Sequence, residues 1–154
     1  MTLRGNKMTL NEKINADMKA AMKSKDKFKL SVVRMLKSEI INEEIQQKGQ
    51  LEDDKVLEVL NRELKKRRDA SEEYKNAGRE ETVQDLDKEI EIILSYMPEQ
   101  LSEEEIQEFV KEAVEQTGAQ TKKDIGKVMG VLMPKVKGKA DGRTVNKILQ
   151  SYLE

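Results

Sequence analysis

The residues with the clearest chemical potential lie between Lys122 and Lys147. Lys122, Lys123, Lys127, Lys135, Lys137, Lys139, Arg143 and Lys147 are all basic, and four glycines, Gly126, Gly130, Gly138 and Gly142, are interleaved with them. Gly126 and Gly130 stand four apart within a helical pattern. A glycine inside a helix costs roughly 1 kcal/mol relative to alanine, so a bare helix face needs a reason. Either another helix packs closely against it, or the backbone of a ligand does. Lys135, Lys137 and Lys139 then alternate through a glycine-bearing loop towards Arg143 and Lys147. Free amides at the start of a helix together with lysines suit a phosphate. Asp141 opposes that reading, because as a cap it would take the same amides and repel an anion.

Two other clusters invite a chemical reading and lose it in the helical register. Lys65-Lys66-Arg67-Arg68 looks like a nucleic-acid patch. However, Glu58 precedes Arg62 by four, Glu63 precedes Arg67, Lys65 precedes Asp69 and Arg68 precedes Glu72. Such pairs neutralise one another on a helix surface at about 0.2–0.5 kcal/mol each, so a solvated ion-pair face is expected. Asp85, Asp87, Glu89 and Glu91 place only two carboxylates on any one face, a poor cage for a hard cation. Glu103-Glu104-Glu105 sits where negative charge complements a helix dipole.

Missing residue types exclude whole mechanisms. The 154 residues contain no His, Cys or Trp. Ser-His-Asp and Cys-His nucleophiles, thiolate or imidazole metal sites and disulfides are therefore ruled out. No metal or cofactor is expected. No apolar run approaches a membrane span or a secretory signal, which fits a cytoplasmic protein. Met1–Lys7 is short and polar, with a second methionine at Met8, and reads as a frayed leader.

The net charge of −1 hides a strong polarity. Residues 1–50 sum to +5, residues 51–117 to −11 and residues 118–154 to +5. The basic ends either attract a polyanion or complement the acidic middle of the same chain.

Helical periodicity runs through nearly the whole chain, and the fold class it gives is all-α. Thr9 with Glu12 has capping-box spacing ahead of Leu10, Ile14, Met18 and Met22. Asp26 caps a second helix with Leu30, Val33, Leu36, Ile40, Ile41 and Ile45 on its apolar face, stopping near Gly49. Asp53 and Asp54 open a third helix that carries Val56, Leu57, Leu60, Leu64 and Tyr74 and closes at Gly78. A fourth runs from Val83 to Met97, ended by Pro98. Ser102 with Glu105 begins a fifth, stopped by Gly118, and Thr121 with Asp124 a sixth, which Pro134 should kink or end near Met133. Asp141 caps the last, through Val145, Ile148, Leu149 and Tyr152. The organisation expected is a long-helix hairpin or bundle over 1–98 and a three-helix module over 99–154.

One resemblance stands out. Lys123-Asp124-Ile125-Gly126-Lys127-Val128-Met129-Gly130, Leu132-Met133-Pro134-Lys135, and Lys137-Gly138-Lys139-Ala140-Asp141-Gly142 with Val145-Asn146 resemble the GatB/YqeY family. Asp17-Met18-Lys19-Ala20-Ala21-Met22-Lys23 and Arg34-Met35-Leu36-Lys37 resemble its free-standing members, so the likeness covers essentially the whole chain. The family includes the tail domain of the B subunit of the tRNA-dependent amidotransferase. The resemblance implies tRNA binding, with Lys123, Gly126, Lys127, Gly130, Lys135, Lys137, Lys139 and Arg143 as counterparts. It also implies the label of a carbon–nitrogen ligase using glutamine as amido-nitrogen donor. That chemistry belongs to other domains, and no catalytic set is found here.

Three functions remain open at this level. The first is a non-catalytic protein that binds tRNA or another structured RNA by shape and phosphate charge. Its five Phe and Tyr residues are too few for a stacking platform. The second is an adaptor docking on an amidotransferase or translation protein. The third is ligase activity inherited with the family label.

Overall fold

The computed structural model describes residues 8–153; Met1–Lys7, read above as a frayed leader, lie outside them. Among the described residues there are seven α-helices and no strand: α1 (Leu10–Ser24), α2 (Lys27–Gln47), α3 (Asp53–Asn76), α4 (Glu80–Leu94), α5 (Glu103–Thr117), α6 (Ile125–Val136) and α7 (Gly142–Tyr152). A 3₁₀ turn, Lys122–Asp124, leads into α6. The chain divides into two compact units, Met1–Tyr96 and Met97–Glu154.

Local signals set most helix starts. The Thr9 hydroxyl accepts from the Glu12 amide at 3.1 Å and Glu12 Oε1 accepts from the Thr9 amide at 2.9 Å. Ser102 and Glu105 repeat that reciprocal box at the start of α5. Asp26 caps α2 by accepting from the Lys29 amide at 3.1 Å. Asp53 and Asp54 open α3 as expected; its cap is Glu52, without a side-chain bond, and Asp53 accepts from the Leu10 amide at 3.0 Å. That bond fastens the start of α1 to the start of α3.

The first unit packs α1 to α4 around Ile14, Val33, Leu36, Ile40, Val56 and Leu60, each wholly buried. Burying an aliphatic side chain of this size is worth about 1.5–3 kcal/mol. Ile41 and Ile45, expected on this core, are 42% and 69% exposed. The inner side of the end of α2 is taken by Glu44, which accepts from Asn11 Nδ2 at 3.2 Å and from the Leu51 amide at 3.1 Å. Tyr74 also misses the core, near the exposed end of α3.

The basic run on α3 is less solvated than its register suggested. Glu63 is buried and meets Arg67 Nη1 at 2.9 Å, while Arg67 Nε reaches Glu89 on α4 at 2.9 Å. Arg62 crosses to Glu43 on α2 at 2.8 Å. Asp87 accepts from Ser71 at 3.3 Å, so Asp87 and Glu89 of the acidic run join α4 to α3.

α4 ends at Leu94, earlier than Pro98 requires. Ser95 Oγ donates to the Ile92 carbonyl at 2.6 Å, and the Tyr96 amide bonds Ile93 at 3.1 Å, tightening the last turn. Tyr96 then turns inward, and its hydroxyl donates to Asp17 Oδ2 at 2.6 Å.

The second unit packs α5, α6 and α7 about Val110, Val128, Leu132, Val136, Val145 and Leu149. Its entry strap is tied to the α6–α7 connection: the Leu101 amide donates to Lys139 O at 2.8 Å, and Gln100 Nε2 to Gly138 O at 2.8 Å. α6 does not stop near Met133 but continues through Pro134 to Val136. Pro134 lies in the last turn, where its missing N–H forfeits one bond, and the wholly buried Val136 holds that turn against the core.

Candidate nucleic-acid interface

α6 is an amphipathic helix with Val128, Leu132 and Val136 turned inwards. Its opposite side is where Gly126 and Gly130 lie, and both are exposed. A Cβ built on either glycine meets nothing within 4 Å. Of the two alternatives for this face, close packing of another helix is not found among the described residues. Among the described residues nothing packs on the bare face, which forms a smooth ridge.

Basic residues border that ridge unevenly. Lys122 and Lys123 occupy the 3₁₀ turn directly before α6, and Lys127 lies in its first turn. Thr121 Oγ1 accepts from the Lys123 amide at 3.3 Å, and Asp124 accepts from the amides of Gln120 and Thr121 at 3.0 and 3.4 Å. Those amide bonds, helped by the charge of Lys127, hold the Asp124 carboxyl below its ordinary pKa. The turn that presents Lys122 and Lys123 therefore keeps its own counter-charge.

The remaining cations separate. Lys135 departs towards α5, where its Nζ donates to Gln116 Oε1 at 3.4 Å. Lys137 caps the C-terminus of α6, and Lys139 lies in the connection to α7, with its amide bonded to Val136 O at 2.8 Å. Gly138 between them has φ of +77°, so its conformation alone explains the glycine. Asp141 does cap α7, accepting from the Arg143 amide at 3.3 Å. A phosphate at that helix start would have to displace it, so side chains rather than free amides are the donors on offer. Gly142 is the first residue of α7, and its added Cβ would also meet open space.

Lys147 belongs to a different feature. A groove of about 450 Å³ is lined by residues of α5 and α7, including Gln107, Lys111, Lys147, Ile148 and Tyr152. Lys111 was missed in the sequence because it is a lone cation on the acidic α5, and only the packing of α5 on α7 sets it beside Lys147.

Among the described residues no three carboxylates gather as a metal site, and no helix is long and apolar enough to cross a membrane.

A family model described as Yqey-like protein matches residues 11–153. The chain belongs to the YqeY-like family. The match takes in both units of the YqeY-like fold, including the glycine ridge and every basic residue around it. A curated relative is "Altered inheritance of mitochondria protein 41, mitochondrial" from Pyrenophora tritici-repentis (strain Pt-1C-BFP). It is 33% identical over 87 residues, which is 56% of this chain and 48% of the relative. The aligned part thus spans about half of that protein.

Proposed function

We propose that this chain is a non-catalytic RNA-binding protein whose second unit binds tRNA, or an RNA of comparable folded shape. The observation that carries the reading is the open Gly126–Gly130 ridge bordered by Lys122, Lys123 and Lys127. A helix face without side chains admits a sugar–phosphate backbone close to the helix axis, and flexible lysines at its edge neutralise the phosphates. Lys137, Lys139 and Arg143 extend the cationic surface towards α7. Such a site reads shape and charge rather than base identity.

Lys127 and Lys123 bind phosphate from the rim of the ridge, and the glycines set the distance of approach. Gly138 shapes the connection that carries Lys137 and Lys139. Asp141 keeps α7 capped at some cost in repulsion.

The experiment is a titration of labelled tRNA with the full chain and with the triple variant Lys127→Ala, Lys137→Ala and Lys139→Ala, with circular dichroism as a folding control. The variant should bind at least tenfold more weakly with unchanged helicity. Equal affinity for both proteins would contradict the proposal.

A specific observation also favours an adaptor role: the same open ridge admits a partner helix, since small residues let helix backbones approach closely. Binding by that route would survive nuclease treatment and high salt.

A further inference from the structure

We infer that the first unit carries a separate polyanion-binding surface, on the hairpin of α1 and α2, and that its ligand is the phosphate backbone of RNA. Taking RNA as the polyanion rests on the proposed function above; the surface itself rests on the first unit alone. Lys19, Lys23, Lys25 and Lys27 fall within nine residues around the tight connection between the two helices. The turn is closed by the Asp26 amide on Ala21 O at 3.0 Å and the Lys25 amide on Met22 O at 3.3 Å. The tight turn therefore keeps the backbone positions of these four lysines close to one another.

α2 continues the surface. Lys27, Ser31, Arg34 and Ser38 recur along the side of the helix opposite the buried Val33, Leu36 and Ile40, and all four are exposed. Arg34, Ser31 and Lys27 line a shallow groove there.

The pairing of charges separates this surface from the basic run on α3. Arg62, Lys66 and Arg67 are engaged by Glu43, Glu63 and Glu89. Among the described residues, no carboxylate pairs with Lys19, Lys23, Lys25, Lys27 or Arg34. The one acid in the turn, Asp26, is occupied as the cap of α2. Lys25 also sits at φ of +60°, a left-handed cap position that suits glycine better, as does Lys48 at the end of α2. A helical hairpin with unneutralised cations and hydroxyls along one side fits a chain of phosphates.

A lipid surface is the weaker fit. An interfacial helix needs a broad apolar face, whereas the solvent side of α2 carries Lys27, Ser31, Arg34 and Ser38 over its first three turns, and apolar side chains, Ile41 and Ile45, only beyond them. Of the two exposed apolar side chains by the turn, Met22 and Phe28, the Phe28 ring already faces Lys88 Nζ at 6.0 Å.

The test titrates folded tRNA with the full chain over a range of salt, using the variant Lys19→Gln, Lys23→Gln, Lys25→Gly and Lys27→Gln. Each phosphate contact contributes about 0.7–0.9 to the slope of log affinity against log salt, so the slope should shrink by about 3. The single variant Lys25→Gly should melt higher yet bind more weakly, which a folding defect would not produce. An unchanged slope in the fourfold variant overturns the inference. If the slope then falls only in the variant of Lys127, Lys137 and Lys139, the proposed function stands without it. If it falls only in the hairpin variant, the hairpin inference stands and the second-unit site fails. Absence of RNA binding by the unaltered protein overturns both. Binding to phosphatidylserine vesicles that the fourfold variant loses, with no change in its RNA slope, reassigns the surface to membranes and also overturns the inference.

Discussion

The Tyr96 hydroxyl donates to Asp17 Oδ2 at 2.6 Å, joining the segment after α4 to the middle of α1 across 79 residues of sequence. Lys13 Nζ stands 5.5 Å from the centre of the same ring. Tyr96 is buried, and burial, then the bond to Asp17 and then its negative charge push the phenol pKa far above its usual value. The sign follows directly. A phenol with a raised folded pKa contributes stability that is intact below its ordinary pKa of about 10 and is lost as pH rises beyond it. Tyr96→Phe should therefore destabilise the protein at neutral pH by about 1–2 kcal/mol. The difference between the two proteins should shrink above about pH 10. Urea unfolding at several pH values checks this, and a difference that is constant with pH would contradict it.

Arg67 is predicted to be the most costly charge to remove. Glu63 is only 5% exposed at its side chain, and Arg67 meets it at 2.9 Å while also holding Glu89. Removing one partner of a buried pair costs about 3–5 kcal/mol because the other charge is stranded. Lys66 at 62% exposure still offers Glu63 some compensation, so Arg67→Ala should fall near the lower end. Arg62→Ala, at an exposed pair, should cost under about 1 kcal/mol. Chemical denaturation of both variants ranks them.

Gly126→Ala and Gly130→Ala should separate stability from function. Each added methyl meets open space, so each should stabilise α6 by about 0.5–1 kcal/mol. The same methyl intrudes on the ridge, so RNA affinity should fall. Calorimetry and titration on the same protein samples test both halves.

Gly138→Ala should behave in the opposite way. Its φ of +77° strains any side chain, and the loss should be about 1–2 kcal/mol although the added Cβ has room. A melting temperature equal to that of the unaltered protein would show that the connection relaxes.

Asp141→Ala removes the cap on the Arg143 amide and should cost about 1 kcal/mol. It also removes a negative charge from the basic surface. Tighter tRNA binding by this less stable protein is the expected outcome in the titration.

Helix starts were legible in the sequence because capping is local. Thr9 with Glu12, Ser102 with Glu105, Asp26 and Asp141 all act within three residues of their targets. Features decided by other elements were not. The early end of α4 depends on Tyr96 finding Asp17, and the passage of α6 through Pro134 depends on Val136 finding the core. The same holds for Ile41 and Ile45, displaced outward where Glu44 takes the inner side. The glycine face could be recognised as needing a neighbour, but only the fold reveals that none of the described elements supplies one. Likewise the spacing of basic residues around Lys135 and Lys147 gave no sign that α6 and α7 would send them to different sides.

The central claim is that this chain recognises folded RNA, and a fluorescence-anisotropy titration tests it most directly. Labelled tRNA and a duplex RNA of equal charge are each titrated with the full chain at low and high salt. Tighter binding to tRNA than to the duplex is expected, with affinity falling steeply as salt rises. No binding at low salt, where phosphate contacts are strongest, would contradict it.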